Sequence, residues 1–218
     1  MMFNAVYWAD RHGKGYADAS WRDKPSPFAE FSMQSFPRAS SVLELGAGIG
    51  QDGIWFAEHG HTVTQTDLGE VGLNIAQETI NAKGLENIEV LQLDITKTYP
   101  FSDGSFDVVY AHSSIQYFTE EDTREIFKEI HRVLKPDGIL AVLVNSVNDL
   151  EYGAGPQISE NYFKIKGLQK RYFSIESLKN FISDLFTIKL IDDKGESYKD
   201  QEVGNHGMIR MIARKPAT

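Results

Sequence analysis

From Ser41 onward, short apolar runs alternate with amphipathic segments of helical length, the pattern of successive βαβ units. Strands are expected at Ser41 to Leu45, Thr62 to Asp67, Ile88 to Leu93, Phe106 to Tyr110 and Ile139 to Asn145. The segments Gly50 to His59, Leu73 to Lys83 and Glu120 to Leu134 read as helices. In the last of these, Ile126, Phe127, Ile130, Val133 and Leu134 form an apolar stripe that Pro136 and Gly138 bring to an end. This order predicts a mostly parallel sheet covered on both faces. Further on, Ser174 can cap a helix carrying Ile175, Leu178, Phe181 and Ile182. Two strand candidates follow, Phe186 to Ile191 and Met208 to Ala213, as an antiparallel edge pair joined by a long polar connection. Residues 1–40 are rich in Gly, Pro, Ser and aromatics without strand alternation, and residues 146–172 look like a surface insertion. Together the two are candidates for a cap or lid over one face of a single domain.

Composition narrows the function classes. The 218 residues have no cysteine, which removes disulfides, thiolate metal sites and cysteine nucleophiles. A formal charge of -9 argues against general binding to a phosphate backbone, so a nucleic-acid partner is not expected. The amino terminus lacks the basic and apolar stretches of a signal peptide, and the strongly apolar run Gly138 to Val147 is too short to span a bilayer. A cytoplasmic protein without a membrane partner is the expectation, with monomer and homodimer both open. His59 and His61 flank Gly60 in a turn and His131 lies beside Arg132, a scatter that suggests no metal site.

The most informative stretch is Val42-Leu43-Glu44-Leu45-Gly46-Ala47-Gly48-Ile49-Gly50, a strand running into three alternate glycines and then a helix. Such a junction lets the backbone approach a ligand while the helix amino terminus offers unpaired donors. The dinucleotide fingerprint fails, because the third position after Gly48 is Gln51 rather than Gly or Ala. Glu44, just before the loop, would repel a diphosphate but suits an ammonium or sulfonium group. Asp67 closes the second strand, 21 residues after Gly46, where a carboxylate can accept both hydroxyls of a ribose. Asp94, followed by Ile95, repeats the arrangement after the third strand and can accept from an exocyclic amine while Ile95 packs on an apolar ring. Capping the next helix or turn is the competing role for each aspartate. Parallel strands place their carboxyl ends along one crevice, so the three acids carry more weight together than singly.

With Phe106-Asp107-Val108-Val109-Tyr110 and Leu134-Lys135-Pro136-Asp137-Gly138 in register, the chain from Phe36 to Ser146 resembles the class I S-adenosylmethionine-dependent methyltransferases. The resemblance implies a Rossmann-like α/β fold, a seven-stranded sheet of order 3-2-1-4-5-7-6 with strand seven antiparallel. It implies S-adenosylmethionine as cofactor. Gly46, Ala47, Gly48 and Gly50 would lie against the methionine moiety, with Glu44 shaping the loop and adding negative potential. Asp67 and Leu68 would sit at the ribose, Asp94 and Ile95 at the adenine, and Ala111 beside the methyl donor. Tyr16 and Trp21, in an aromatic leader, would close over the pocket. The glycine-rich Leu68-Gly69-Glu70-Val71-Gly72-Leu73 departs from the family pattern and leaves the start of its helix open.

A sulfonium methyl is already activated, so methyl transfer needs alignment and exclusion of water more than a triad. His112 is the candidate base, since imidazole takes protons near neutrality; a contact with the cofactor loop and a structural turn are its other roles. Tyr117 and Phe118 can shape the acceptor pocket, and Asp149, Tyr152, Gln157, Asn161, Tyr162, Arg171 and His206 can contact the acceptor. The expected function is methylation of a small molecule without a metal; a noncatalytic adenosyl-binding regulator and methylation of protein or RNA are the alternatives.

Overall fold

The computed structural model describes residues 7–8, 22–196 and 207–217. After α1 (Pro27–Met33) the chain runs β1 (Ser41–Leu45), α2 (Gln51–Glu58), β2 (Thr62–Asp67), α3 (Glu70–Lys83), β3 (Ile88–Gln92), β4 (Phe106–His112), a short 3-10 turn (Ile115–Tyr117), α4 (Glu120–Val133) and β5 (Leu134–Asn145). Three short strands follow, β6 (Gln157–Ser159), β7 (Tyr162–Ile165) and β8 (Leu168–Arg171), then α5 (Ile175–Ile182), β9 (Thr187–Gly195) and β10 (Met208–Arg214). The main sheet has the order β3-β2-β1-β4-β5-β10-β9, with β10 antiparallel to both neighbours. This is the seven-stranded order that the family resemblance implies.

Boundaries shift where local chemistry outweighs periodicity. Helix α3 starts at Glu70 rather than Leu73, with Gly69 as its extended N-cap. Strand β4 continues to His112, so Ala111 and His112 lie on the strand. Strand β5 begins at Leu134, which pairs with Phe106 before an irregularity over Lys135 to Gly138, held by Lys215 N–H donating to Gly138 O at 2.9 Å. The segment expected as a surface insertion contains a three-stranded antiparallel sheet, β6-β7-β8. Its Phe163 and Ile165 pack with Tyr172 and Val147 into a small apolar cluster.

Two cores sandwich the main sheet. One face carries Leu43, Leu45, Val109, Ala111 and Val142 against α4 and α5. The other begins with a row of valines, Val63, Val42 and Val108, side by side on β2, β1 and β4 under Phe28 and Phe56. Two residues further along the same strands the row becomes Gln65, Glu44 and Tyr110, all buried. The next step brings Asp67, Gly46 and His112, at the carboxyl end of the sheet. One face therefore turns from apolar to polar over three rows. Apolar residues at its base gain roughly 1.5–3 kcal/mol each from burial and hold the polar rows in place. Among the described residues no helix is long and apolar enough to cross a membrane.

Candidate active site

The loop from Gly46 to Gly50 turns back over the end of β2, where Thr66 O accepts from Gly46 N–H (2.8 Å) and Ala47 N–H (2.9 Å). Gly46 has φ +73° and lies so close to the loop after β4 that a Cβ there would stand 2.4 Å from Ser114 Cβ. Gly50, at φ +85°, is the left-handed N-cap of α2. Its own added Cβ would meet Ala76 Cβ and Gln65 Oε1 at 2.8 Å each. Neither position accepts a side chain without displacing its neighbours. Ser114 Oγ beside Gly46 is buried and has no hydrogen-bond partner among the described residues, an open polar group at the strand ends.

Asp67 is half-exposed, and its two oxygens accept Gly48 N–H at 2.8 Å and Gly69 N–H at 2.7 Å. One carboxylate thereby ties the glycine loop to the start of α3, and each oxygen retains a lone pair for a hydroxyl. Leu93 N–H donates to Asp67 O at 2.9 Å, which brings Asp94 alongside. Asp94 Oδ1 accepts both Thr96 N–H (3.0 Å) and Thr96 Oγ–H (2.6 Å), fixing the turn. Ile95 is buried in the core with Leu93 and Tyr99, Leu68 is exposed at the crevice mouth, and Ala111 points into the opposite core so that only its backbone faces the site. Glu44, Gly46, Ala47, Gly48, Gly50, Asp67 and Asp94 thus gather at adjacent strand ends. Tyr16, Trp21 and His206 lie outside the described residues.

Glu44 sits beneath the loop rather than on it. Its Oε2 accepts from Gln65 Nε2 at 2.9 Å, and the same nitrogen donates to Gly50 O at 2.6 Å. Burial, reinforced by the nearby charge of Asp52, raises the Glu44 carboxyl to about 8 against the pull of Gln65 and Gly53. The burial that raises the Glu44 carboxyl works against the negative potential expected of it near neutral pH.

Sequence reading missed Asp52, which looks like an ordinary acidic residue in a first helical turn. It is 3% exposed. Asp52 accepts from Ser26 N–H (2.6 Å), Ser26 Oγ–H (2.8 Å) and Tyr110 Oη–H (2.7 Å), and His112 Nδ1 lies 3.8 Å from its Oδ2. Phe28 stacks on Tyr110 with centroids 5.3 Å apart and on His112 at 6.4 Å.

On the acceptor side, Gln116 Oε1 accepts Asn145 N–H (3.1 Å), Tyr162 Oη–H donates to Tyr117 O (3.3 Å) and Arg171 Nε–H donates to Phe118 O (3.2 Å). The loop after β4 is held between β5 and the small sheet. Trp8 packs edge-on against Tyr117 at 5.4 Å, while Phe118 joins the core. Asp149 is buried near this loop, Tyr152 bonds Asn161 at 2.7 Å, and Gln157 is exposed on β6. Tyr172, which sequence reading also passed over, is buried near Asp149 and Tyr117, its hydroxyl without a hydrogen-bond partner among the described residues.

The fold is a doubly wound α/β domain in which β1, β2 and β3 bring their carboxyl ends together, the edge at which open α/β sheets bind ligands. A family model described as a methyltransferase domain matches residues 42–138. The chain is 40% identical over 114 residues to the putative methyltransferase YqeM of Bacillus subtilis, covering 51% of this chain and 45% of that protein. It is 26% identical over 131 residues to the tRNA 5-carboxymethoxyuridine methyltransferase of Escherichia coli, covering 60% of this chain and 48% of the relative. The chain thus spans about half the length of these curated relatives. Among solved structures, the Burkholderia thailandensis 1,6-didemethyltoxoflavin-N1-methyltransferase, with bound 1,6-didemethyltoxoflavin and S-adenosylhomocysteine, superposes with a TM-score of 0.78 at 19% identity over 99% of this chain and 88% of that one. Residues 42–138 thus carry a methyltransferase domain, in a chain whose fold is that of the class I S-adenosylmethionine-dependent methyltransferases. A tRNA enzyme among its relatives also corrects the inference from net charge, which does not by itself dispose of a nucleic-acid acceptor.

Proposed function

We propose that this protein transfers the methyl group of S-adenosylmethionine to a nucleophilic atom of a small molecule, releasing S-adenosylhomocysteine. The observation that carries the reading is the convergence of Asp67, Asp94 and the Gly46 turn, with the open Ser114 hydroxyl beside it, at one end of three adjacent parallel strands. Bound S-adenosylmethionine supplies a methyl already activated on a sulfonium centre. Gly46 to Gly50 give its amino acid end a close backbone surface, Asp67 binds the ribose hydroxyls and Asp94 the adenine amine. Glu44 answers the positive charge from below the loop. The segment held by Gln116, Tyr162 and Arg171 orients the acceptor, and His112 takes its proton. Alignment of two reactants supplies most of the acceleration in such a site. A small acceptor is favoured by the acidic chain and by the small sheet β6-β8, whose Tyr162 and Arg171 bond the loop after β4.

The test incubates purified protein with methyl-labelled S-adenosylmethionine and, separately, a metabolite extract and total RNA, with products identified by mass. Label in a small molecule is expected. Label confined to RNA overturns the acceptor class, and binding without consumption of donor in either mixture leaves an adenosyl-binding regulator as the better description.

A further inference from the structure

We propose that Arg171, with Lys164 on the same face of the small sheet, binds an acidic group of the acceptor, a carboxylate or a phosphate, so that the small molecule methylated here is an anion. The inference deepens the proposed function and rests on its reading that the segment after β4 orients the acceptor.

Across β7 and β8, Tyr162 stands opposite Arg171 and Lys164 opposite Gln169, so these four side chains leave the hairpin on one side. Tyr162 Oη–H is shared between Gln169 Oε1 at 2.9 Å and Tyr117 O at 3.3 Å, which seats this face against the loop after β4. Arg171 is 5% exposed. Its Nε–H donates to Phe118 O at 3.2 Å, and its guanidinium lies 5.0 Å from the ring centroid of Tyr162 and 5.9 Å from that of Phe181. Among the described residues its terminal nitrogens have no acceptor and no carboxylate stands at ion-pair distance from them. Glu120, whose charge reaches Arg171, is paired instead to Arg124 at 2.8 Å, and Arg124 lies over the same Phe181 ring at 4.7 Å. Two guanidinium groups therefore share one carboxylate.

An arginine stays protonated, so its burial without an anion is costly unless something compensates. Two aromatic rings offset part of that cost, and burial still pulls Arg171 below its ordinary value against the help of Glu120 and Tyr162. The terminal nitrogens are not sealed in as Ser114 Oγ and Tyr172 Oη are, so a ligand can reach them. Their planar fork matches two oxygens of a carboxylate or a phosphate. Charge along the chain agrees: residues 161–173 hold Lys164, Lys166, Lys170 and Arg171 and no acid, within a protein of net charge -9. Lys166 and Lys170 are spent on Glu151, whereas Lys164 is exposed and has no ion pair among the described residues. Phe118, which Arg171 grips, ends the loop whose Ser114 lies against Gly46, so an acid held here leaves the rest of a small molecule to extend along that loop toward the methyl donor.

Arginine nitrogen-15 NMR of the whole chain, with the Arg171 signal assigned by its loss in Arg171→Lys, tests the site directly. Inorganic phosphate and acetate are titrated separately at constant ionic strength against chloride. A saturable shift of Arg171 Nε is expected with one of them: phosphate alone assigns a phosphorylated acceptor, acetate alone a carboxylic acid. Lys164→Gln, which leaves the bond to Phe118 intact, is expected to weaken that binding about two- to fivefold. No saturable shift with either anion overturns the proposal. In the labelled-donor screen the product is expected to carry a carboxylate or phosphate, and a neutral or cationic product overturns the proposal even if the anions bind. With the acceptor in hand, Arg171→Lys is expected to raise its KM roughly tenfold with little change in kcat, while the neutral ester of the acceptor shows the same KM in parent and variant. Equal losses for acid and ester reduce Arg171 to a support for the loop and overturn the proposal. Label confined to RNA, or donor left unconsumed, overturns the proposed function instead, and the anion titrations then decide the site by themselves.

Discussion

Gln65 donates from one nitrogen to Glu44 Oε2 at 2.9 Å and so favours the charged carboxylate, but burial of the acid at the end of β1 outweighs that bond. Burial first and Asp52 second raise its folded pKa to about 8, from the ordinary carboxylate value of 4.5. A raised folded pKa means that the native state holds the proton more tightly. The associated stability is complete below about pH 4.5 and is lost as pH rises through about 8. Glu44→Gln removes this dependence, and urea unfolding at pH 6 and pH 9 is expected to show the variant gaining on the parent by on the order of 2 kcal/mol at the higher pH. A constant difference between the two proteins would show that Glu44 does not titrate in this range.

The same proton links to the ligand. A sulfonium or ammonium group arriving above Glu44 favours its ionised form, so binding of S-adenosylmethionine at pH 7 is expected to release part of a proton. Calorimetry in buffers of different ionisation enthalpy measures that release, which disappears in Glu44→Gln. Equal apparent enthalpies in all buffers for the parent protein would refute the linkage.

Gly53 separates two opposing effects. In an exposed helix interior, Gly to Ala gains about 1 kcal/mol. Here the added Cβ would stand 2.4 Å from both Gln65 Nε2 and Glu44 Oε2, in a buried polar layer that has no slack. Overpacking of that kind costs roughly 1–3 kcal/mol and outweighs the propensity gain. Gly53→Ala is expected to lower the melting temperature and weaken S-adenosylhomocysteine binding, because the displaced Gln65 also holds Gly50 O. A stabilised variant would mean that α2 can lift from the sheet without cost.

Much of this site was legible because its signals are local. Short apolar runs such as Val108-Val109-Tyr110-Ala111, set between amphipathic segments of helical length, mark the strands, and glycines after a strand mark the turn. Asp52 was not legible, because its partner Ser26 lies 26 residues away and only the docking of α1 brings the two together. The small sheet was missed for a different reason. Its strands are only three or four residues long, too short for alternation to register. Lys166-Gly167, both at positive φ between the paired Ile165 and Leu168, make the two-residue hairpin whose glycine was the available clue.

Asp67 carries two duties that a single substitution can divide. Its oxygens hold the Gly48 and Gly69 amides, and the ribose would use what lone pairs remain. Asp67→Asn keeps one backbone bond and turns the other acceptor into a donor facing an N–H. S-Adenosylhomocysteine affinity is expected to fall by at least tenfold in isothermal titration, a loss of about 1.4 kcal/mol. The melting temperature of the unliganded protein should change little, since the loop also hangs from Thr66 O. Undiminished affinity in Asp67→Asn would remove the ribose from this end of β2.

Glu151 secures the acceptor side from the turn before β6. Burial disfavours its ionised form, but hydrogen bonds from Lys166 at 2.8 Å and Lys170 at 2.6 Å outweigh it and hold the carboxyl at about 2. With the folded pKa depressed, the stability from this group is present above the ordinary carboxylate value of 4.5 and is lost as pH falls toward 2. The two lysines are not equivalent: Lys166 is 79% exposed along its side chain and Lys170 only 17%. Water screens the first pair, so most of the effect belongs to the second. Lys170→Gln is expected to cost roughly 1 kcal/mol at pH 7 and Lys166→Gln a few tenths, both differences shrinking toward zero by about pH 2. Thermal unfolding of the two variants across that range checks the order. Equal effects would place the strength of this clamp in its exposed pair, contrary to the burial that distinguishes them.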